Sequence, residues 1–353
     1  MNQRTRYFLI GSAFVVVIGL CTGLVAYYGG DLSRSRAAAP EFSYLPPDAT
    51  AVAYADVQDI MKSGFSQKLR QLLPTGAEKE RLAAELGVDL ERDIDSMASA
   101  FSGPNSGIVI LRGRFDAKKI EAAALQHGDV VGEYHGKRLI TSSGDVTSAP
   151  GPAPNPMMGP FAFSNSGVAF LETNLIAIGP VPALQHAIDT GASRQDITDN
   201  PEFMRFVDEA RQSGNAWIVA RVDGATPPQG MPDQLKEQLP KIKFFAVSAD
   251  VDQTLTGSVR VQAVDAAAGE DLRKVVSGTI AAAKLFGGSN PTLATALNAM
   301  QVTGQGADAR LTFVLTAETL EQLSPNMPGP PGRGATGRGA GRGPEAMPLP
   351  LPR

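Results

Sequence analysis

His127, His135 and His186 are the only imidazoles in the chain, and imidazole is the side chain that most readily moves protons or holds a metal near neutral pH. None of the three has a cysteine or carboxylate at metal-ligand spacing. His127 closes a helical pattern before Gly128, where a partly charged ring complements the helix dipole. His135 falls in the turn of a hairpin, GEYHGKRLI, and His186 lies off the apolar stripe of a helix over 182–189. The segment Gly132–Lys137 imitates a phosphate loop. It has three residues between its glycines where four are needed, and Arg138 stands where Ser or Thr must follow the lysine. A hairpin turn at His135-Gly136 accounts for the same residues.

The carboxylates offer two further candidates. Asp89, Glu91, Asp93 and Asp95 alternate, so an extended chain would put them on one face, where hard oxygens can hold a divalent cation. Arg92 interrupts the set and no glycine shapes a loop. A charged strand edge that resists mispairing fits these residues equally well. Asp250, Asp252 and Thr254 resemble the start of a calcium loop, but Leu255 occupies the glycine position and no glutamate closes it. No G-x-S-x-G elbow is present. The sequence therefore nominates no catalytic, cofactor-binding or metal residue and implies no cofactor. A hydrolase with a non-local site is the alternative to a binding protein.

The elements around these residues alternate with period two. In 108–115, Val109, Leu111 and Phe115 oppose Arg112 and Arg114; in 255–264, Leu255, Val259, Val261 and Ala263 oppose Thr256, Ser258, Arg260 and Gln262. Leu311, Phe313 and Leu315 alternate with Arg310, Thr312 and Val314. One apolar and one polar face predict half-buried antiparallel strands. Helices carry start signals: Asn200-Pro201 opens the stripe Phe203, Phe206, Val207 and Ala210, Asn290-Pro291 repeats the device, and 116–127 presents Ile120, Ala123 and Ala124. Strand, helix, strand, strand, helix recurs, first from AVAYADV and again from NAWIVARVD. The reading is an α+β chain of two units, 45–190 and 199–323, each an antiparallel sheet with helices on one face. Regular structure is expected from Ala51, with loops at 147–160 and 225–232, where Pro and Gly are dense.

After the short flank 1–6, residues 7–28 are apolar and uncharged. At 1.5 Å per residue they reach about 33 Å, enough to cross a hydrocarbon core of about 30 Å. Leu20 before Cys21 is too large for a lipoprotein signal, and Ala37–Ala39 is a poor cleavage site because Pro40 follows. The segment reads as a retained transmembrane signal-anchor. Arg4 and Arg6 beside it place the N-terminus in the cytoplasm and the body outside, on a stalk over 29–44. Gly19 and Gly23 form a GxxxG pattern that suits a homodimer through close helix approach.

Charge follows the same division. Residues 1–36 and 324–353 each carry +3 and the middle carries −10, within a total of −4. An acidic body disfavours nucleic acid as a partner. A single cysteine excludes an internal disulfide framework. The tail 324–353, rich in Pro, Gly and Arg, has too few apolar residues to offset the entropy of ordering and reads as a disordered tether.

The phrases YLPPDATAVAYADVQDI and DNPEFMRFVDEARQSGNAWIVARVD, with the single N-terminal span, resemble a group of uncharacterised bacterial envelope proteins. These carry an N-terminal anchor or signal and repeated α+β units, and the resemblance covers roughly 44–323. It implies an envelope location; with the orientation read from Arg4 and Arg6, the expected place is the inner membrane with the body in the periplasm. It supplies no catalytic residue. The expected function is a single-pass, membrane-anchored, non-enzymatic binding or scaffolding module for a protein or envelope component.

Overall fold

Alanine-rich and β-branched runs such as AVAYA and GIVIL make flat, pleated surfaces that must be covered on each side that is apolar. The computed structural model describes residues 39–72, 90–103, 106–126, 128–141, 166–222, 239–287 and 291–319. The segment 7–28 with Gly19, Cys21 and Gly23, the loops 147–160 and 225–232, His127, Asp89 and the tail 324–353 lie outside these residues. Among the described residues no helix is long and apolar enough to cross a membrane.

The first seven strands are β1 (Ala51–Ala55), β2 (Ile94–Phe101), β3 (Gly107–Gly113), β4 (Val130–Tyr134), β5 (Lys137–Thr141), β6 (Ser166–Glu172) and β7 (Leu175–Pro180). The remainder are β8 (Ala216–Arg221), β9 (Ile242–Val251), β10 (Leu255–Ala263), β11 (Gln301–Thr303) and β12 (Asp308–Leu315). They form one antiparallel sheet of 12 strands in the order β11-β12-β10-β9-β8-β1-β2-β3-β7-β6-β5-β4. Two units with separate sheets were expected; instead the halves fuse where β1 pairs with β8, Ala53 opposite Ile218. The physical reason is the edge problem. Each half alone would end on an unpaired strand, and joining them satisfies both rows of backbone groups.

Outward from that seam the halves repeat. β2, β3, β7 and β6 follow β1 on one side, and β9, β10, β12 and β11 follow β8 on the other, while β5 and β4 extend only the first half. Ser99, Val109 and Ile178 continue the row from Ala53; Val247, Val259 and Leu311 continue it from Ile218.

Helices lie on both faces rather than one. The Met97 face takes α1 (Val57–Lys62), α2 (Gly64–Leu72), α4 (Ala117–Gln126), α7 (Ala266–Gly287) and α8 (Pro291–Asn298), which supply Ile60, Phe65, Ile120, Leu272 and Ala296; a further short helix, α3 (Leu90–Asp93), leads into β2. The Trp217 face takes α5 (Val181–Ser193), α6 (Pro201–Ser213) and the 3-10 turns Pro40–Tyr44 and Ile197–Asp199. Asn200 caps α6 as the sequence indicates, its Oδ1 accepting from the Phe203 amide at 3.1 Å.

Structure also begins earlier than Ala51. Pro40–Tyr44, assigned to the stalk, is a 3-10 turn whose Glu41, Phe42 and Tyr44 are buried. Phe42 wedges edge-on against Tyr54 and Trp217, 6.3 Å and 5.9 Å between ring centroids, so it plugs the β1–β8 seam.

Candidate functional site

The sequence candidates separate in the fold. His135 and Gly136 form the two-residue turn between β4 and β5, with φ of 48° and 79°, the left-handed values such a hairpin requires. His135 Nδ1 lies 3.0 Å from Asp189 Oδ1, and the Tyr134 hydroxyl donates to Asp189 Oδ2 at 3.1 Å. This pair orients an imidazole, but it sits on an exposed turn and ties that turn to α5. His186 is exposed on α5, off its buried stripe. Asp93 ends the helical turn Leu90–Asp93 and Asp95 lies in β2, so the alternating run does not extend through them. Arg114 lies between the two, 3.9 Å from Asp93 and 3.5 Å from Asp95, where a cation was conceivable. Among the described residues no group of three His, Cys, Asp or Glu side chains is arranged to hold a metal.

Two polar clusters that sequence reasoning missed stand in their place. The first is internal. Glu41, 1% exposed, accepts from Ser96 Oγ at 2.5 Å and from Arg112 Nε at 2.8 Å. Tyr54 lies beside it, and burial pushes its hydroxyl pKa well up, with the Asp56 and Glu41 carboxylates adding to the rise. A buried ion pair of this kind fixes geometry more than it adds stability. Here it pins the turn 40–44 to β2 and β3 of the first half. Tyr44 completes the pin by donating to Glu172 at 3.1 Å; burial first, then that carboxylate, push its hydroxyl up to about 12.

The second cluster is accessible. On the Trp217 face, α6 covers β8 and β9 and stops short of the outer strands. A shallow open groove runs along its edge, floored by Ser248 of β9, Ser258 and Arg260 of β10 and Arg310 of β12. Arg260 and Arg310 are direct register partners. Like charges so placed repel. Glu209 of α6 reaches between them, its two carboxylate oxygens accepting one N–H from each guanidinium. Asp308 accepts from Arg260 Nε at 3.0 Å and Nη2 at 2.8 Å, and the guanidinium carbon lies 4.8 Å from the Phe206 ring centroid. Arg260 is thus held on three sides and only 17% exposed, while Arg310 is 37% exposed. The signal was present in the sequence as the polar face of each strand. What it lacked was the register that sets the two arginines opposite one another.

This architecture is an α+β fold whose single antiparallel sheet carries helices on both faces. Crystal form I of TP0453 is a similar solved structure, with a TM-score of 0.41 and 10% sequence identity over 83% of this chain and 99% of that one. No family model matches the chain, and no curated protein matches it.

Proposed function

We propose that the protein is a membrane-tethered, non-enzymatic binding module whose body stands outside the cytoplasm at the bacterial inner membrane and whose binding surface is the groove beside Glu209, Arg260 and Arg310. Residues 7–28 supply the tether. The turn Pro40–Tyr44 follows that tether closely in the chain and packs its Glu41, Phe42 and Tyr44 into the body. Pairing of tethers through Gly19 and Gly23 would present two such bodies together.

One observation carries the reading of the groove. At matching places in a repeated framework, the first half buries Ile110 and its register partner Ala177 under α5, whereas the second half holds Arg260 and Arg310 in an open groove. No described helix covers that place in the second half, so it can carry charge, and the two arginines stand there opposite one another where a partner can reach them.

The test uses full-length protein in cells stripped of any outer barrier, with Cys21→Ser and Ser258→Cys. A membrane-impermeant maleimide is expected to label Cys at 258 without lysis, and a photo-crosslinker at the same position is expected to capture a partner in an Arg310-dependent manner. Labelling only after lysis, or a mature chain beginning near Pro40, overturns the tethered reading. Crosslinking that is unchanged by Arg310→Met overturns the groove.

A further inference from the structure

The geometry points to a binding site for an oxyanion, a phosphate or carboxylate group, between Arg260 and Arg310, with Glu209 as a built-in stand-in for the ligand. The proposal rests on the groove being the binding surface and names what binds there.

Two guanidinium groups on directly opposed strand positions converge on one point, and a carboxylate from α6 occupies it. Paired arginines chelate a planar or tetrahedral oxyanion through parallel N–H donors, an arrangement lysine cannot reproduce. Arg260 is set in advance by Asp308 and by stacking on Phe206, so it has little side-chain freedom left to lose on binding. Arg310 is the more exposed partner and turns with its ligand. The hydroxyl-bearing Ser248 and Ser258 share the floor and can donate to further anion oxygens.

Glu209 is 36% exposed and lies near the end of α6, where its side chain can swing into solvent without unpacking Phe203, Phe206 or Val207. As a tethered carboxylate it competes with any free anion at high effective concentration. The site therefore favours ligands that bring more than one oxyanion or add contacts along the groove, and it discriminates against solvent ions.

The experiment is titration calorimetry on the full-length chain in detergent with inorganic phosphate and, separately, triglutamate. Removing the competitor with Glu209→Gln is expected to tighten phosphate or triglutamate binding by about tenfold or more relative to wild type. Adding Arg310→Met to that variant is expected to abolish the gain. Glu209→Asp, which keeps the charge but is too short to bridge both arginines, serves if Glu209→Gln fails to fold, and a smaller tightening is expected. The two anions distinguish a phosphate-bearing from a carboxylate-bearing ligand. Equal affinities in wild type and both Glu209 variants, or a gain that survives Arg310→Met, overturn the oxyanion site. If Ser258 crosslinking remains Arg310-dependent while neither anion binds, the groove stands and its ligand is not an oxyanion; loss of both sinks the two readings together.

Discussion

The two halves of the sheet place their strands in the same order from the seam, and they treat one location in opposite ways. In the first half, Ile108 and Ile110 of β3 and Ala177 of β7 lie under Leu184, Ala187 and Ile188 of α5, all nearly free of solvent. In the second half the corresponding positions are Ser258, Arg260 and Arg310, and no described helix takes the place of α5. A strand covered on both sides must be apolar on both; a strand covered on one side can carry charge on the other. The covering helix and the residue pattern beneath it change together.

Exchanging the two treatments gives the largest expected effect. Ile110→Arg places an unpaired cation beneath α5 and is expected to cost about 4 kcal/mol or more, enough to prevent folding, because nothing there replaces Glu209. The reciprocal Arg260→Ile is expected to cost about 1 kcal/mol, since solvent reaches that face. Denaturant midpoints for both variants decide the matter. Similar costs would erase the distinction between the halves.

The turn 40–44 on the first half comes next. Glu41→Ala leaves the partly buried Arg112 without its partner and is expected to cost about 3 kcal/mol, with a melting temperature lower by several degrees. The double variant Glu41→Leu with Arg112→Met is expected to recover most of that loss, because two apolar side chains need no partner. A double variant as unstable as Glu41→Ala would show that the ion pair is not what holds the turn 40–44.

Two smaller effects appear as pH dependence. The Tyr44 hydroxyl titrates at about 12 in the fold, above its ordinary 10. The folded state therefore holds its proton more tightly, so this contribution is complete below about pH 10 and disappears as pH rises through about 12. Tyr44→Phe should flatten that alkaline limb in a denaturant series. At the far side of the molecule, the hydrogen bond from Lys68, at 2.8 Å, holds the Glu318 carboxyl down to about 2. Its contribution is present above the ordinary carboxylate value of 4.5 and fades as pH falls toward about 2. Both groups are exposed, so the change on Lys68→Ala is expected to be slight.

Much of this is legible in the sequence. The cap at Asn200 and the stripe of α6, the turn at His135-Gly136, and the polar faces of β10 and β12 are local patterns. They depend on residues within a few positions of each other, and the fold reproduces them. β3 was read as half-buried, although its run Ile108–Leu111 already carried the signature of a strand covered on both faces. Pro40–Tyr44 looks like linker in the sequence because it is a proline-bearing stretch before the first strand, and only its packing shows Glu41 buried against Arg112 and Phe42 against Trp217.

By itself the sequence determined several of the strands and helices, the polar faces of β10 and β12, and that the strand and helix order recurs, because propensity, capping and alternation act over a few residues. The tertiary structure alone decided that the two halves share one sheet and that Glu41 is buried against Arg112. It also decided that Arg260 meets Arg310 and Glu209, 51 residues distant from Arg260 and 101 from Arg310. Those outcomes depend on register and on which strand edge remains to be paired, and both are set by the packing of the whole chain.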